Sequence, residues 1–214
     1  SFNKLKLTKI SNNLFISDTL KISGSVGFGV NSFDRMNNTW NKMGLSNIKT
    51  NIDGDEIFDM DLNSFTYDEW RHINTFVDYA SYKNKKIKIQ KLYIEEFNPL
   101  NMYKRSLGDG VVKINESNDT YLYSVKLFDF NKNQSEILVP IQWKKQNDLF
   151  NRKLYFDNMF AVNRDSTYNF KFSGALVSIE KNSFYTEKRI QIFEENNILH
   201  VDKDSIPLLK GITI

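Results

Sequence analysis

Alternation of apolar and polar residues is the feature that most constrains the fold of this chain. Between residues 48 and 62, and again between 121 and 143, apolar residues or threonine recur at every second position over most of the run. A period of two is that of a β-strand with one buried and one wet face, whereas an α-helix repeats near 3.6. The fold class is therefore predicted to be mainly β.

Turn residues divide these alternating runs into two predicted β-hairpins. Asp53-Gly54 separates the first pair of runs, and this dipeptide tolerates positive φ at both central turn positions. A polar segment, 131–135, separates the second pair and predicts a longer loop. Pro140 cannot donate a backbone hydrogen bond to a ladder, so we expect the last strand to lie at a sheet edge there.

One segment breaks the β pattern and predicts a single inserted helix of three to four turns over 67–81. Thr66 and Glu69 have capping-box spacing, and Phe65 and Trp70 occupy the two hydrophobic-staple positions that flank the cap. An apolar stripe at helical spacing comprises Tyr67, Trp70, Ile73, Val77 and Ala80. We expect this stripe to pack against the sheet; the alternative is that its aromatic rings line a pocket.

A run without apolar periodicity, 144–148, marks a predicted boundary between two modules. Residues 1–145 are predicted to form an immunoglobulin-like β-sandwich with the inserted helix, and 146–214 a smaller β-sandwich-like module. The second module has predicted strands at 153–156, 167–172, 175–179, 189–193 and 198–201. Its last residues, 206–214, end abruptly in a predicted strand, which indicates truncation. The start, without Met or a leader, indicates a domain cut or a processed N-terminus.

The composition mainly excludes certain functions and kinds of site. The net charge is +3 with scattered signs, and the short basic run 83–88 is typical of a solvated turn rather than a nucleic-acid-binding face. Cysteine is absent, which excludes disulfides, thiol catalysis and cysteine-based zinc sites. No run of eighteen apolar residues occurs, so no transmembrane helix is predicted.

Candidate catalytic and metal-binding groups fail as complete sites. His72 and His200 are the only histidines, and neither has another histidine at the paired-ligand spacing of a helical zinc motif, so both are expected to be satisfied or solvated. The paired carboxylates Glu95-Glu96 and Asp59/Asp61 could in principle serve glycoside hydrolysis, but Asp59 and Asp61 are typical of the wet side of a strand. No catalytic, cofactor-binding or metal-binding residue is predicted.

Two partial motifs also fail. The glycine-rich segment 24–29 is not followed by Gly-Lys-Ser/Thr, and it predicts a strand with a bulge or a close backbone approach instead of a phosphate loop. Asp129, Asn131 and Asn133 have the opening spacing of a calcium loop. However, Gln134 and Pro140 stand where that loop needs glycine and glutamate, so a hairpin tip is expected.

An ordered series of motifs covers residues 20–141, with a weaker echo at 206–208. The series comprises Gly24-Ser25-Val26-Gly27-Phe28-Gly29-Val30 with Asp34, Asn38 and Gly44, Ile52-Asp53-Gly54, Phe65-Thr66-Tyr67-Asp68-Glu69-Trp70-Arg71, Ile73-Asn74, Val77-Asp78-Tyr79, Lys91-Leu92-Tyr93, Asn98-Pro99-Leu100 with Tyr103, Gly110-Val111, and Val125-Lys126-Leu127-Phe128-Asp129 with Asn133 and Ser135. This series resembles the immunoglobulin-like region downstream of the catalytic domain in bacterial lysostaphin-type (LytM-like) zinc metallopeptidases.

The resemblance implies a role for this chain without catalysis. Those enzymes cut peptidoglycan cross-links with zinc held by paired His-x-x-x-Asp and His-x-His motifs; this pair does not occur here, so zinc is expected only in an upstream catalytic domain. The implied parent protein is exported to the periplasm or cell envelope. Within it, this chain would position or shield the catalytic domain of the same polypeptide, or contact peptidoglycan or an envelope protein.

Two other functions stay open. One alternative is a glycan- or protein-binding module of a cell-surface protein, whose contact surface would be exposed aromatic rings. The aromatic content, 17 Phe, 10 Tyr and 3 Trp, favours it. An unrecognised hydrolase would need a cleft that gathers His72 or His200 with carboxylates.

Overall fold

Strands make up most of the regular structure, which confirms the mainly β prediction. The computed structural model describes residues 3–35, 42–62, 66–95, 98–116, 119–145, 159–172, 174–185, 187–196, 198–201 and 208–214. The strands are β1 (Leu7–Lys9), β2 (Leu14–Ser17), β3 (Leu20–Ile22), β4 (Gly24–Val26), β5 (Gly29–Val30), β6 (Asp34–Arg35), β7 (Lys42–Met43), β8 (Asn47–Ile52), β9 (Asp55–Asp61), β10 (Gln90–Lys91), β11 (Val112–Ile114), β12 (Thr120–Phe128), β13 (Gln134–Trp143), β14 (Met159–Val162), β15 (Tyr168–Lys171), β16 (Leu176–Ile179), β17 (Lys188–Glu195) and β18 (Ile198–Val201).

A seven-stranded sheet dominates the first region, which we define as residues 3–145. Its order is β1-β2-β13-β12-β8-β9, and β3 pairs with β13 as well. Both predicted hairpins are confirmed: β8 and β9 are joined through Asp53 and Gly54, whose φ angles are 50° and 97°. The β12–β13 hairpin runs in unbroken antiparallel register from Thr120 opposite Gln142 to Phe128 opposite Gln134.

The prediction that Pro140 marks a sheet edge is wrong. Strand β13 pairs with β12 on one side and, in parallel, with β2 and β3 on the other. The amide and carbonyl of Leu122, which lies opposite Pro140, both bond to Asp53 instead. The side of Pro140 without an amide proton therefore meets the break between β2 and β3, where the ladder shifts register. A proline is tolerated inside a sheet at such a bulge.

The hydrophobic core of the first region joins this sheet to residues on or next to the short strands β4, β5, β10 and β11. Sheet residues such as Ile48 and Tyr123 share one buried cluster with Phe28, Leu92 and Ile114. The Phe28 and Tyr123 rings stack with their centroids 4.2 Å apart. The alternating pattern therefore buries one face of the sheet, as the period of two requires.

The glycine-rich segment contains the predicted close backbone approach. A Cβ atom added at Gly27 would lie 2.7 Å from the Tyr93 ring, so the segment fits only without a side chain there. Strands β4 and β5 on either side pair with β11 and β10. Since Gly29 begins strand β5 and not a helix, the interpretation as strand rather than phosphate loop is confirmed.

The helical region lies where it was predicted, but it is not one continuous helix. A 3-10 helix, Tyr67–Thr75, is followed by the α-helix α1, Tyr79–Lys85, and a short 3-10 turn occurs later at Arg105–Leu107. Between the first two, Val77 forms a bridge to Gln90, and this pairing takes the backbone out of helical geometry. Asp78, at the N-cap position of α1, accepts a hydrogen bond from Ser81 Oγ, so a second start signal was present in the sequence.

A separate hydrophobic cluster defines the second region, residues 159–214. Its described buried residues are Val162, Val177, Ile179, Phe184, Ile190 and Ile192. They come from the sheets β14-β17-β18 and β15-β16 and from the segment before β17. The clusters lie on either side of the predicted boundary, which itself falls largely outside the described residues and stays a prediction.

Most predicted strands of the second region are present. Those at 167–172, 175–179, 189–193 and 198–201 correspond to β15, β16, β17 and β18, while 153–156 lies outside the described residues. Strand β14 was not predicted. The strand expected at 206–214 is wrong for its described part, 208–214, where Thr213 makes only an isolated bridge to Ser178.

Candidate functional site

The most exposed aromatic side chains in the described helical segments lie in the first 3-10 helix. Tyr67 is 95% exposed and Trp70 is 72% exposed. A 3-10 helix has three residues per turn, so side chains at i and i+3 eclipse one another. Tyr67, Trp70 and Ile73 therefore form one row, of which Ile73 packs against the core and the first two reach solvent. We call Tyr67 and Trp70 the aromatic pair.

The prediction that the whole apolar stripe packs against the sheet is thus wrong for the aromatic pair. Val77, at the other end of the stripe, is buried as predicted. The stripe was drawn at the 3.6-residue period of an α-helix, whereas the segment winds more tightly and leaves helical geometry after Phe76. The β-branched residues Ile73, Thr75 and Val77 disfavour an α-helix and were the available signal.

Glu69 anchors the start of this helix. Its carboxylate accepts hydrogen bonds from the Thr66 amide (2.9 Å), the Thr66 hydroxyl (2.9 Å) and the Asn101 amide (2.7 Å). These donors, with the Thr66 amide first, hold the pKa of Glu69 below its ordinary value. The capping-box prediction is confirmed in its residues, and the bond to Asn101 adds a tie to a distant loop. Phe65, the predicted staple partner, lies outside the described residues.

The C-terminal end of this helix is held in place by a hydrogen bond and by burial. The Thr75 hydroxyl donates to the His72 carbonyl at 2.7 Å, and Thr75, Phe76 and Val77 are buried. The aromatic pair is therefore carried by a segment that is tied down at both ends, although the two rings themselves are free of the core. A rigid element that presents exposed rings is suited to binding, because little order is lost when a ligand stacks on it.

The two histidines lie in different regions and are not brought together. His72 Nδ1 lies 2.7 Å from the Tyr185 hydroxyl, and the two rings meet edge to face at 5.8 Å. His200 stacks on Phe193 with ring centroids 4.6 Å apart. Asp204 has His-x-x-x-Asp spacing from His200 but lies outside the described residues. His72 is satisfied by a partner, as expected.

The carboxylates singled out from the sequence make ordinary surface pairs. Asp59 lies on the outer face of β9, where Lys49 Nζ approaches it at 3.0 Å and Asn47 donates to it at 2.8 Å. Lys49 also contacts Glu56 at 3.0 Å, and hydrogen bonds to Glu56 and Asp59 raise the pKa of its ammonium group. The neighbouring Asp61 is exposed, which confirms the wet-side interpretation.

Two other polar groups are explained by local structure. Asn133 donates its backbone and side-chain N–H groups to Asp129, at 2.8 and 2.6 Å, which confirms the hairpin tip in place of a calcium loop. The buried Lys91 pairs with Glu95 at 2.9 Å, while Glu96 lies outside the described residues. Burial, chiefly, raises the pKa of the adjacent Tyr93 to about 12, so its phenol stays protonated.

In the part of the chain that the structure describes, no three His, Asp or Glu side chains gather as a metal site. Among the same residues, no helix is long and apolar enough to cross a membrane. Comparison of the chain with protein-family models, with curated proteins and with solved structures gave no match.

Proposed function

We propose that this chain is a non-catalytic accessory region of an exported cell-wall metallopeptidase and that it contacts the wall glycan through the aromatic pair. The observation that carries the contact is the exposure of Tyr67 and Trp70 on a helix that is anchored at both ends. The motif series described above supports the parentage by resemblance. In that setting the zinc centre belongs to an upstream domain, and the parent protein works in the periplasm or cell envelope.

The chemistry of the aromatic pair suits a sugar. A pyranose ring has an apolar C–H face and a rim of hydroxyl groups. Tyr and Trp combine a flat apolar body with a polar tip, and they bind with little loss of side-chain entropy. Both rings are presented in one eclipsed row, so two successive contacts along a chain of sugars are available.

The proposed fold of the first region is an immunoglobulin-like sandwich. Its support is one buried cluster that joins residues of the seven-stranded sheet to residues on or next to β4, β5, β10 and β11. A sandwich places its core between two layers of strands. An experimental structure in which these four strands form one continuous second sheet would establish this class; a single open sheet would contradict it.

Binding to insoluble peptidoglycan tests the proposed contact. We expect the purified chain to co-sediment with peptidoglycan, and Trp70→Ala to weaken this binding by about tenfold or more, since that factor corresponds to about 1.4 kcal/mol of lost contact. Tyr67→Ala is expected to act in the same direction. Because both side chains are exposed, each variant should keep its unfolding free energy within about 0.5 kcal/mol of the original.

Phe130→Ala is the matched control. Phe130 is 79% exposed at the tip of the β12–β13 hairpin, so this variant removes an equally accessible aromatic ring from another place. Binding that survives Trp70→Ala, or that Phe130→Ala weakens as much, would contradict the role of the aromatic pair. Binding to an envelope protein but not to soluble glycan strands would favour a protein partner instead. Cleavage of cross-links by the chain alone, abolished by a chelator, would overturn the non-catalytic role.

A further inference from the structure

We propose that Tyr185 of the second region is a positioning residue for the aromatic pair, acting through its hydrogen bond to His72. This inference rests on the proposed function for its consequence, the binding of a ligand, but the physical coupling that it states can be measured without one. His72 belongs to the same 3-10 helix that carries Tyr67 and Trp70. Its partner is 113 residues away along the chain and lies in the second region, next to Phe184 of the second core.

The contact is specific on both sides. Tyr185 is 3% exposed, and its neighbour Phe184 is 2% exposed within the second core. The hydroxyl lies 2.7 Å from His72 Nδ1, and the two rings are nearly perpendicular, at 89°. A ring that is fixed by burial and meets another edge to face holds the orientation of its hydroxyl, so the bond constrains where the helix can lie.

The helix therefore contacts both regions at once. Ile73 and Phe76 pack in the first core, while the adjacent His72 bonds to Tyr185 of the second region. The aromatic pair precedes these residues by one and two turns. Movement of the second region relative to the first would pull on His72 and change the direction in which Trp70 points.

The bond does not depend on one tautomer of the imidazole. A phenol hydroxyl can donate to an unprotonated Nδ1 or accept from a protonated one. The contact therefore acts as a structural clasp. Its effect on ligand binding is geometric: it pre-orients the aromatic pair and so reduces the order lost when a ligand binds.

Amide hydrogen exchange of residues 67–75 in the full chain tests the coupling. Tyr185→Phe removes the hydroxyl and keeps the buried ring, and we expect it to accelerate exchange in this helix by about three- to tenfold, the effect of one lost hydrogen bond. Tyr168→Phe is the matched control. It removes another hydroxyl of the second region, one that accepts from the Asn163 amide at 3.0 Å within its own region, and it should leave residues 67–75 unchanged.

A double-variant comparison completes the test. If the two side chains act through each other, His72→Ala combined with Tyr185→Phe should accelerate exchange no more than His72→Ala alone. Exchange that Tyr185→Phe leaves unaltered, or effects of the two substitutions that multiply, would overturn the proposal. Accelerated exchange in a chain that never binds peptidoglycan would support the clasp and refute only the proposed function.

Discussion

The two regions of this molecule reach a hydrophobic core by different routes. The first region encloses its core with a seven-stranded sheet whose strands reach ten residues, in β13. The second region encloses its core with sheets of three and two strands, and its described buried cluster has six residues against seventeen in the first. A small core leaves little surplus over the entropy cost of folding. The second region therefore has the smaller reserve of stability and gains most from a contact such as His72–Tyr185.

Removing one buried ring from each core is expected to cause the greatest loss of stability, with a different outcome in the two regions. Phe184→Ala and Phe58→Ala each remove a ring that is at most 2% exposed, at a cost of about 3–5 kcal/mol. We expect Phe184→Ala to unfold the second region at room temperature, while Phe58→Ala only lowers the unfolding temperature of the first. All three tryptophans, Trp40, Trp70 and Trp143, precede residue 145. Tryptophan fluorescence therefore follows the first region, while far-ultraviolet circular dichroism follows both.

The same experiment can show that the two cores do not unfold independently. If Phe184→Ala lowers the fluorescence-detected transition as much as the dichroism-detected one, the two cores unfold as one cooperative unit. In that case the second region depends on the first for its stability. The two regions would then differ in size but would not unfold independently.

Two glycines with similar φ angles test how closely the first core is packed. Gly110 and Gly24 have nearly the same φ, 76° and 77°, but a Cβ at Gly110 would lie 2.5 Å from the Leu92 carbonyl oxygen and 2.8 Å from the Phe58 ring. Apart from its chain neighbours, no described residue has an atom within 4 Å of a Cβ at Gly24. We expect Gly110→Ala to destabilise the chain by about 2–4 kcal/mol, the sum of the positive-φ cost and overpacking.

Gly24→Ala carries the backbone cost without the clash, so a loss of about 1 kcal/mol is expected. Urea unfolding followed by fluorescence measures both variants. Equal losses would show that the first core yields around an added methyl group, which would contradict the close contacts at Gly110.

A smaller and pH-dependent effect is expected at Glu69. The folded pKa of this carboxyl is lowered, so its stabilising contribution is present above the unfolded value near 4.3 and is lost as pH falls through the folded pKa. Glu69→Gln should therefore lower the unfolding midpoint in urea at pH 7, and the difference from the original chain should shrink below about pH 4. The exposed neighbour Asp68 provides the control variant Asp68→Asn.

Because the hydrogen bonds described for Glu69 all lie within the first region, the fluorescence-detected transition should carry this effect. A difference between the original chain and Glu69→Gln that stays constant from pH 7 to pH 3 would contradict the role of the ionised carboxylate. An equal effect of Asp68→Asn would assign the loss to the general charge of the helix start.

Local sequence patterns predicted the fold correctly where one or two residues determine the local backbone conformation. Asp53-Gly54 supplies the positive φ angles of its turn, and Thr66 with Glu69 defines a helix start; both were predicted and both are present. Sequence did not reveal that Val77 bridges to Gln90 or that Pro140 faces a bulge, because each depends on a partner that is distant along the chain. Periodicity describes one segment at a time and carries no information on such pairings.

The candidate site follows the same division. The sequence correctly predicted that Tyr67 and Trp70 lie in one helical stripe. It wrongly predicted that they are buried, because a 3.6-residue period was assumed and the edge of the core was unknown. His72 was expected to be satisfied, yet its partner Tyr185 could not be named, since 113 residues separate the two. Exposure and tertiary pairing are properties of the assembled core, and only the structure supplies them.

The parallel pairing of β2 and β3 with β13 has a consequence for synthesis on the ribosome. Leu14 pairs with Glu136 and Ile22 with Trp143, so β2 and β3 leave the ribosome more than a hundred residues before the strand with which they pair. Until then their backbone edges are open to other chains, a known route to aggregation. Closing so long a loop is slow. We therefore expect folding of the first region to be completed by its N-terminal strands, after the β12–β13 hairpin has formed.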